Sequence, residues 1–270
     1  MSTVTDRPAT AASPLLLRAD AGGITTLTLN RPSQYNALSA TLLADLQTQL
    51  EAIGNDATVR VVVIAGSGPA FCAGHDLKEM RAHAERSFYD ALFEQCSRFM
   101  LTLARIPQPV IARVHGIATA AGCQLVAACD LAVCSDSARF ATSGINVGLF
   151  CSTPAVALTR NVPRKRAMEM LMTGEFIDAA TARDFGLVNR VVPLERLDEE
   201  VGRLASAIIA KSPLAVATGK RLFYPQLEAG VEEAYRMAAQ AMACNMMGED
   251  AQAGVAAFTD KQPMPQWRGR

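Results

Sequence analysis

Two short stretches of branched apolar residues, 59–65 (VRVVVIA) and 110–114 (VIARV), limit what this chain can fold into more than any other feature. Neither shows the polar alternation of a strand with one wet face. Small residues stop both at once: Gly66, Ser67, Gly68 and Pro69 follow the first, and Gly116 the second. Strands of this kind need cover on both faces, which means parallel pairing with crossover helices. The remaining signals agree. Residues 24–29 (ITTLTL) alternate as a half-buried strand ended by Asn30, Arg31 and Pro32. Ser39 is placed to cap a helix running to Ile53, with Leu42, Leu43, Leu46 and Leu50 at helical spacing and Gly54 closing it. After the second stretch, residues 116–122 read as a small-residue turn, 124–129 as a short helix and 131–134 as another strand. The fold class is α/β.

From Pro163 helices dominate: Pro163 in a first turn, Met168, Leu171 and Met172 on one face, Gly174 as the stop, then Asp178 capping a helix to Phe185. A last strand at 187–192 precedes a helical tail. There Val231, Ala234, Tyr235, Ala238, Ala241 and Met242 form an apolar stripe, packed within the chain or set at a subunit interface.

Whole function classes drop out. With 26 basic and 26 acidic residues in 270, the chain has no general attraction for a phosphate backbone, so nucleic acid is not the expected partner. The seven Cys form no CxxC pair and mostly lie in apolar runs, as reduced thiols of a cytosolic-type compartment do; with three His at unhelpful spacing, no metal site is expected. No apolar stretch reaches the roughly 20 residues that span a bilayer, and MSTVTDRPATAASP lacks the apolar core of a secretory signal. Residues 66–71 fail as a dinucleotide loop, because Phe71 replaces the third glycine and Pro69 removes an N–H. There is no GxSxG elbow, and TGKR at 218–221 lacks the glycine and hydroxyl of a phosphate loop.

Two turns remain, 71–77 (FCAGHDL) and 116–124 (GIATAAGCQ), each following a buried strand. Small side chains let a ligand approach the main chain, and two converging N–H groups make an oxyanion hole. The same residues equally permit close packing of a helix on a strand.

These segments, together with LNRPxxxNAL (29–38), PVIARVHG, CDLAV, RFA and TGEFIDAATARDFGLVNRVVP, resemble the enoyl-CoA hydratase/isomerase, or crotonase, superfamily over nearly the whole chain. A subgroup is singled out by ATAAGCQLVAACDLAV and INVGLFCSTPAVAL. The resemblance implies a spiral of β-β-α units over residues 15–200 holding an acyl-CoA site, a helical oligomerisation region at 201–270 forming trimers or paired trimers, and a flexible tail over 1–14. The implied location is the cytoplasm, or the mitochondrial matrix in a eukaryote. It places the thioester oxygen on the backbone N–H groups of His75 and Ala121. It sets Ala73, Asp76, Leu77, Lys78, Phe258 and Lys261 beside coenzyme A, which arrives as part of the substrate; no separate cofactor is expected.

The departures matter as much. The two positions where hydratases of this family carry glutamates read Gln124 and Gly144. An amide can hold water but cannot cycle a proton, and glycine supplies no group. The expectation is therefore an acyl-CoA-binding relative with weak or absent hydratase activity. The alternatives are an isomerase or other thioester enzyme using His75, Asp76 or Glu79 as base, and a non-catalytic acyl-CoA binder. Cys151 and Ser152 are further candidate contacts, and Asp130 is expected to be structural.

Overall fold

A computed structural model describes residues 13–270. Most of the expected tail lies outside them. The chain opens with an antiparallel hairpin, β1 (Leu16–Ala21) and β2 (Ile24–Leu29), in register Leu16 to Leu29. Helix α1 (Ala40–Gly54) starts where Ser39 Oγ accepts the Leu42 N–H at 3.2 Å, and it buries Leu42, Leu43, Leu46, Leu50 and Ile53.

The next three units share one plan: a strand in a large sheet, a sharp bend, then a short strand in a small sheet. The pairs are β3 (Val61–Gly66) with β4 (Ala70–Cys72), β5 (Val110–Val114) with β6 (Ile117–Thr119), and β7 (Leu131–Ser135) with β8 (Arg139–Ala141). Helices α2 (Leu77–Ala82) and α3 (Arg86–Arg105) follow β4, and α4 (Ala121–Ala128) follows β6. Further helices α5 (Ser152–Leu158), α6 (Arg164–Thr173) and α7 (Ala179–Asp184) surround β9 (Ile177–Asp178), and β10 (Arg190–Val192) completes the large sheet. The sheets run β1-β2-β3-β5-β7-β10 and β4-β6-β8-β9, with β3, β5, β7 and β10 parallel. This is the β-β-α spiral.

Two-sided cover explains the unbroken apolar runs. Along β3, Val62 and Ile64 face the main core with Leu43, Leu46 and Phe99, while Val61 and Val63 face Leu197, Val201 and Ala205 of α8 (Leu197–Ile209). Helix α8 spans the boundary expected at residue 200 and belongs by packing to the sheet. The helical tail follows as α9 (Pro213–Glu228), α10 (Val231–Met246) and α11 (Glu249–Thr259).

Several local readings need correction. The run 116–122 is not one turn: it contains β6, and α4 begins three residues earlier than expected, at Ala121. Helix α6 buries Ala167, Met170 and Leu171, whereas Met168 and Met172 are exposed, because the small Ala167 lets the helix approach its neighbours on that side. The last strand is shorter than 187–192. The stripe on α10 divides: Ala234, Ala238 and Ala241 are half-buried, and Val231, Tyr235 and Met242 are exposed. No helix among the described residues is long and apolar enough to cross a membrane.

Candidate active site

The two small-residue turns meet. After β4 the chain passes through Ala73, Gly74, His75 and Asp76 beside Leu38, which forms an isolated parallel bridge with His75. Leu38 N–H donates to the Gly74 carbonyl at 2.7 Å, and Asp76 N–H donates to the Leu38 carbonyl at 3.2 Å. In extended chain, successive peptide groups point to opposite sides. The His75 N–H therefore faces away from Leu38, and it has no acceptor among the described residues.

On the other side, Ala120 N–H donates to the Ala141 carbonyl at 3.0 Å, and Ala120 then twists to φ 50°, ψ −121°. This turn starts α4, so Ala121 stands at the first helical position, where an N–H has no acceptor within the helix. Gly74, at φ +94°, joins the two halves: a Cβ there would lie 2.8 Å from the Ala120 methyl and 3.1 Å from the Ala121 nitrogen. Two unpaired main-chain donors thus flank one glycine at the positive end of α4.

Ala120 holds a conformation that side-chain-bearing residues avoid, at a cost of about 1–3 kcal/mol. Ala120→Gly is accordingly expected to stabilise the fold by about 1 kcal/mol, net of the added freedom of the unfolded chain. Urea melts check this: the midpoint should rise with an unchanged slope.

His75 and Gln124, the side chains on the two halves of this corner, are neutral at pH 7. Both ring nitrogens of His75 are buried without a hydrogen-bond partner, and the ring packs edge-on to Phe93 at 5.4 Å. Burial pushes its pKa down to about 4, with the Leu38 backbone pulling weakly the other way. Gln124, one turn along α4, is almost fully buried, and its Oε1 also lacks a partner.

The His75 shift has a stability consequence. From an ordinary 6.5 to about 4, the unfolded chain takes up a proton that the folded chain refuses, so stability is complete above the upper value and falls as pH drops toward the lower one. The loss amounts to about 3 kcal/mol. Urea melts at pH 7 and pH 4 should show His75→Gln losing less stability than the wild type by that amount.

A profile of the family described as enoyl-CoA hydratase/isomerase matches residues 19–270. The chain belongs to the enoyl-CoA hydratase/isomerase family. Rat enoyl-CoA hydratase domain-containing protein 3, mitochondrial, is 47% identical over 245 residues, covering 91% of this chain and 81% of the relative. The crystal structure of an enoyl-CoA hydratase from Mycobacterium smegmatis superposes with a TM-score of 0.93 at 58% identity, covering 94% of this chain and 99% of that one. Human enoyl-Coenzyme A hydratase domain-containing protein 3 gives a TM-score of 0.91 at 44% identity, covering 93% and 100%. The subgroup likeness expected from the α4 and α5 segments is what these comparisons find.

Within this enoyl-CoA hydratase/isomerase scaffold, the acidic residues of the first turn are already engaged. Asp76 caps α2, its Oδ1 accepting the Lys78 and Glu79 N–H groups at 3.0 and 3.2 Å and its Oδ2 receiving Arg31 at 2.8 Å. Burial would raise this carboxyl, but Arg31 and the two amides outweigh it and hold the pKa below the usual carboxylate range. Glu79 Oε2 accepts the Ala40 N–H at 3.0 Å at the start of α1. Neither carboxylate is free to serve as a base without breaking a helix cap.

Gly144 is enclosed. A Cβ there would meet the Leu149 carbonyl oxygen at 2.6 Å and the Cys151 Sγ at 2.8 Å. Cys151 is buried and its thiol pKa is raised by that burial, an inert packing group. Ser152 Oγ turns back to the Phe150 carbonyl. Ala73 N–H donates to the Tyr35 carbonyl at 3.0 Å, while Leu77 and Lys78 are exposed beside the corner. Phe258 and Lys261 stand exposed at and just beyond the end of α11. A cleft of about 450 Å³ lies elsewhere, between β2, β3 and α8 on the outer sheet face, and none of the expected site residues borders it.

From the sequence, Arg31 is read as one of the residues that end β2 and as part of a motif, with no functional role. Lys220 is read there only as part of a failed phosphate loop. Lys220 is buried, donating to the carbonyls of Leu103 and Gln108 at 2.7 and 2.8 Å and to Asp130 at 2.6 Å, and Tyr224 donates to the same carboxylate at 2.5 Å. Asp130 is structural.

Proposed function

We propose that this protein binds an acyl-CoA thioester with the carbonyl oxygen at the Gly74 corner, held by the N–H groups of His75 and Ala121, and that it hydrates enoyl thioesters slowly or not at all. One observation carries this reading: two unpaired main-chain donors stand beside a site whose glutamate positions hold Gln124 and Gly144. Fixed donors stabilise the negative charge that grows on a thioester oxygen as an enolate forms, each contributing about 10²–10³ in rate. Moving protons at neutral pH needs a group that both takes and releases one. A neutral amide, a glycine and an imidazole depressed to about 4 do not provide it.

Ala73, Leu77 and Lys78 border the coenzyme A in this reading, and Phe258 and Lys261 complete its nucleotide pocket in the same or a neighbouring chain. The exposed Val231, Tyr235 and Met242 of α10 support assembly into homotrimers, or paired trimers, that cover them. An isomerase with Asp76 or Glu79 as base is disfavoured, since both carboxylates cap helices.

Thermal unfolding with butyryl-CoA and with free coenzyme A tests the proposal. Saturating butyryl-CoA, at about 100 times its Kd, should stabilise by about 2.7 kcal/mol. Free coenzyme A should stabilise less, and mass spectrometry should find crotonyl-CoA, which carries the double bond a hydratase acts on, largely unhydrated. Failure of butyryl-, crotonyl- and palmitoyl-CoA alike to stabilise the protein would overturn it.

A further inference from the structure

Arg31 is largely buried, and its grip on Asp76 is only half of what it holds. Its guanidinium reaches two main-chain segments at once. One arm donates to the Ala37 carbonyl, and the other donates to Asp76 Oδ2 at 2.8 Å, with the two side chains only 14% and 13% exposed. Between those anchor points lies the Leu38–His75 bridge, the pairing that turns the His75 N–H outward. The anchor loop is itself fixed: Arg31 N–H donates to Asn36 Oδ1 at 2.9 Å, and Asn36 Nδ2 donates to the Ser67 and Ala70 carbonyls at 2.8 Å each. Asp76 in turn holds the first turn of α2 through Lys78 and Glu79. The His75 peptide therefore sits inside a frame closed on its Asp76 side by a largely buried ion pair.

We infer that Arg31 is a positioning residue: through Asp76 and Ala37 it sets the direction of the His75 N–H toward the thioester oxygen. A buried, bidentate guanidinium suits this task, because its planar fork fixes two acceptors in one geometry, whereas an ammonium fixes neither direction. Removing it leaves the Leu38 bridge and the Ala73–Tyr35 hydrogen bond but frees the Asp76 end of the turn from the Ala37 segment, so the donor is retained but misaimed. The inference rests on the proposed reading of the His75 N–H as a carbonyl donor.

Isotope-edited infrared spectroscopy of butyryl-CoA carrying ¹³C at the carbonyl reads the aim of the donors directly. Bound to the wild type, the carbonyl stretch should fall below its value in water. In Arg31→Met that displacement should shrink by at least half while affinity weakens by less than about tenfold. Arg31→Lys should lie between the two. A mere loss of stability moves affinity or folded fraction, not the carbonyl frequency of the ligand that stays bound.

Full retention of the displacement in Arg31→Met would overturn the inference and leave the proposed function standing. Absence of any displacement in the wild type would instead remove the carbonyl-donor reading itself, and this inference with it. Should Arg31→Met fail to fold, as judged by far-ultraviolet circular dichroism, Asp76→Asn decides by the same criterion. It is isosteric, keeps an acceptor for the α2 amides, and removes the charge that Arg31 grips.

Discussion

Mixed with crotonyl-CoA, the protein is expected to consume the conjugated thioester at least about 10²-fold more slowly than a relative carrying both glutamates. Each general acid or base is worth about 10²–10⁴ in rate, and the two positions here hold an amide and a glycine. The losses are not additive, so the two factors are not multiplied and the loss of one group sets the floor. Reversion separates the two positions. Gln124→Glu is expected to recover about 10²-fold, because the side chain is nearly isosteric and its Oε1 already lacks a partner. Gly144→Glu is expected to recover nothing. Its Cβ would press on the Leu149 carbonyl and the Cys151 thiol, so the segment must shift at a cost of about 1–3 kcal/mol. Adding Cys151→Gly relieves only the thiol contact and leaves the 2.6 Å approach to backbone. Absorbance at the conjugated thioester band follows all four proteins. Fast wild-type turnover that Gln124→Ala abolishes would show that the amide site works by another route.

Lys220→Met should destabilise the fold by about 3–5 kcal/mol, lowering the melting temperature by roughly 10 °C. The ammonium is buried and donates three hydrogen bonds, two to carbonyls that no helix satisfies and one to Asp130. Burial pulls its pKa down and the Asp130 charge pulls it back up. Without it, Asp130 stays buried against Val110 N–H and Tyr224 with no counter-charge. The Tyr224 hydroxyl, whose pKa is raised first by burial and then by Asp130, cannot supply one. Lys220→Met with Asp130→Asn should recover part of the loss, since the orphaned charge rather than the pair accounts for most of it. Equal melting temperatures for Lys220→Met and wild type would mean that water reaches the cluster.

How much of this was legible follows the range of each interaction. Ser39, Asp178 and Gly174 were read correctly because caps depend on residues three or four positions away. The buried strands were read from composition, which reports cover on both faces. Strand β1 left no signal, since LLRADA is an exposed edge of a hairpin with no apolar period. Strand β6 was hidden within a run of small residues that also suits a turn. The pairs that hold the site lie far apart in sequence, Arg31 from Asp76 by 45 residues and Lys220 from Asp130 by 90. No local pattern announces them. The strained torsion at Ala120 was equally silent, because glycine, not alanine, is the residue that signals a positive φ.

The Gly74 corner is made of peptide groups rather than side chains, closed by the contact of Gly74 with Ala120 and Ala121 and by the hydrogen bond its carbonyl accepts from Leu38. Laboratory evolution on this scaffold therefore divides cleanly. Libraries that randomise 124 or 75 sample new chemistries on a constant socket, whereas diversity introduced at 74 or 122, where a Cβ would press on Ala120 or on the Cys72 carbonyl, dismantles the socket before any new reactivity can be selected.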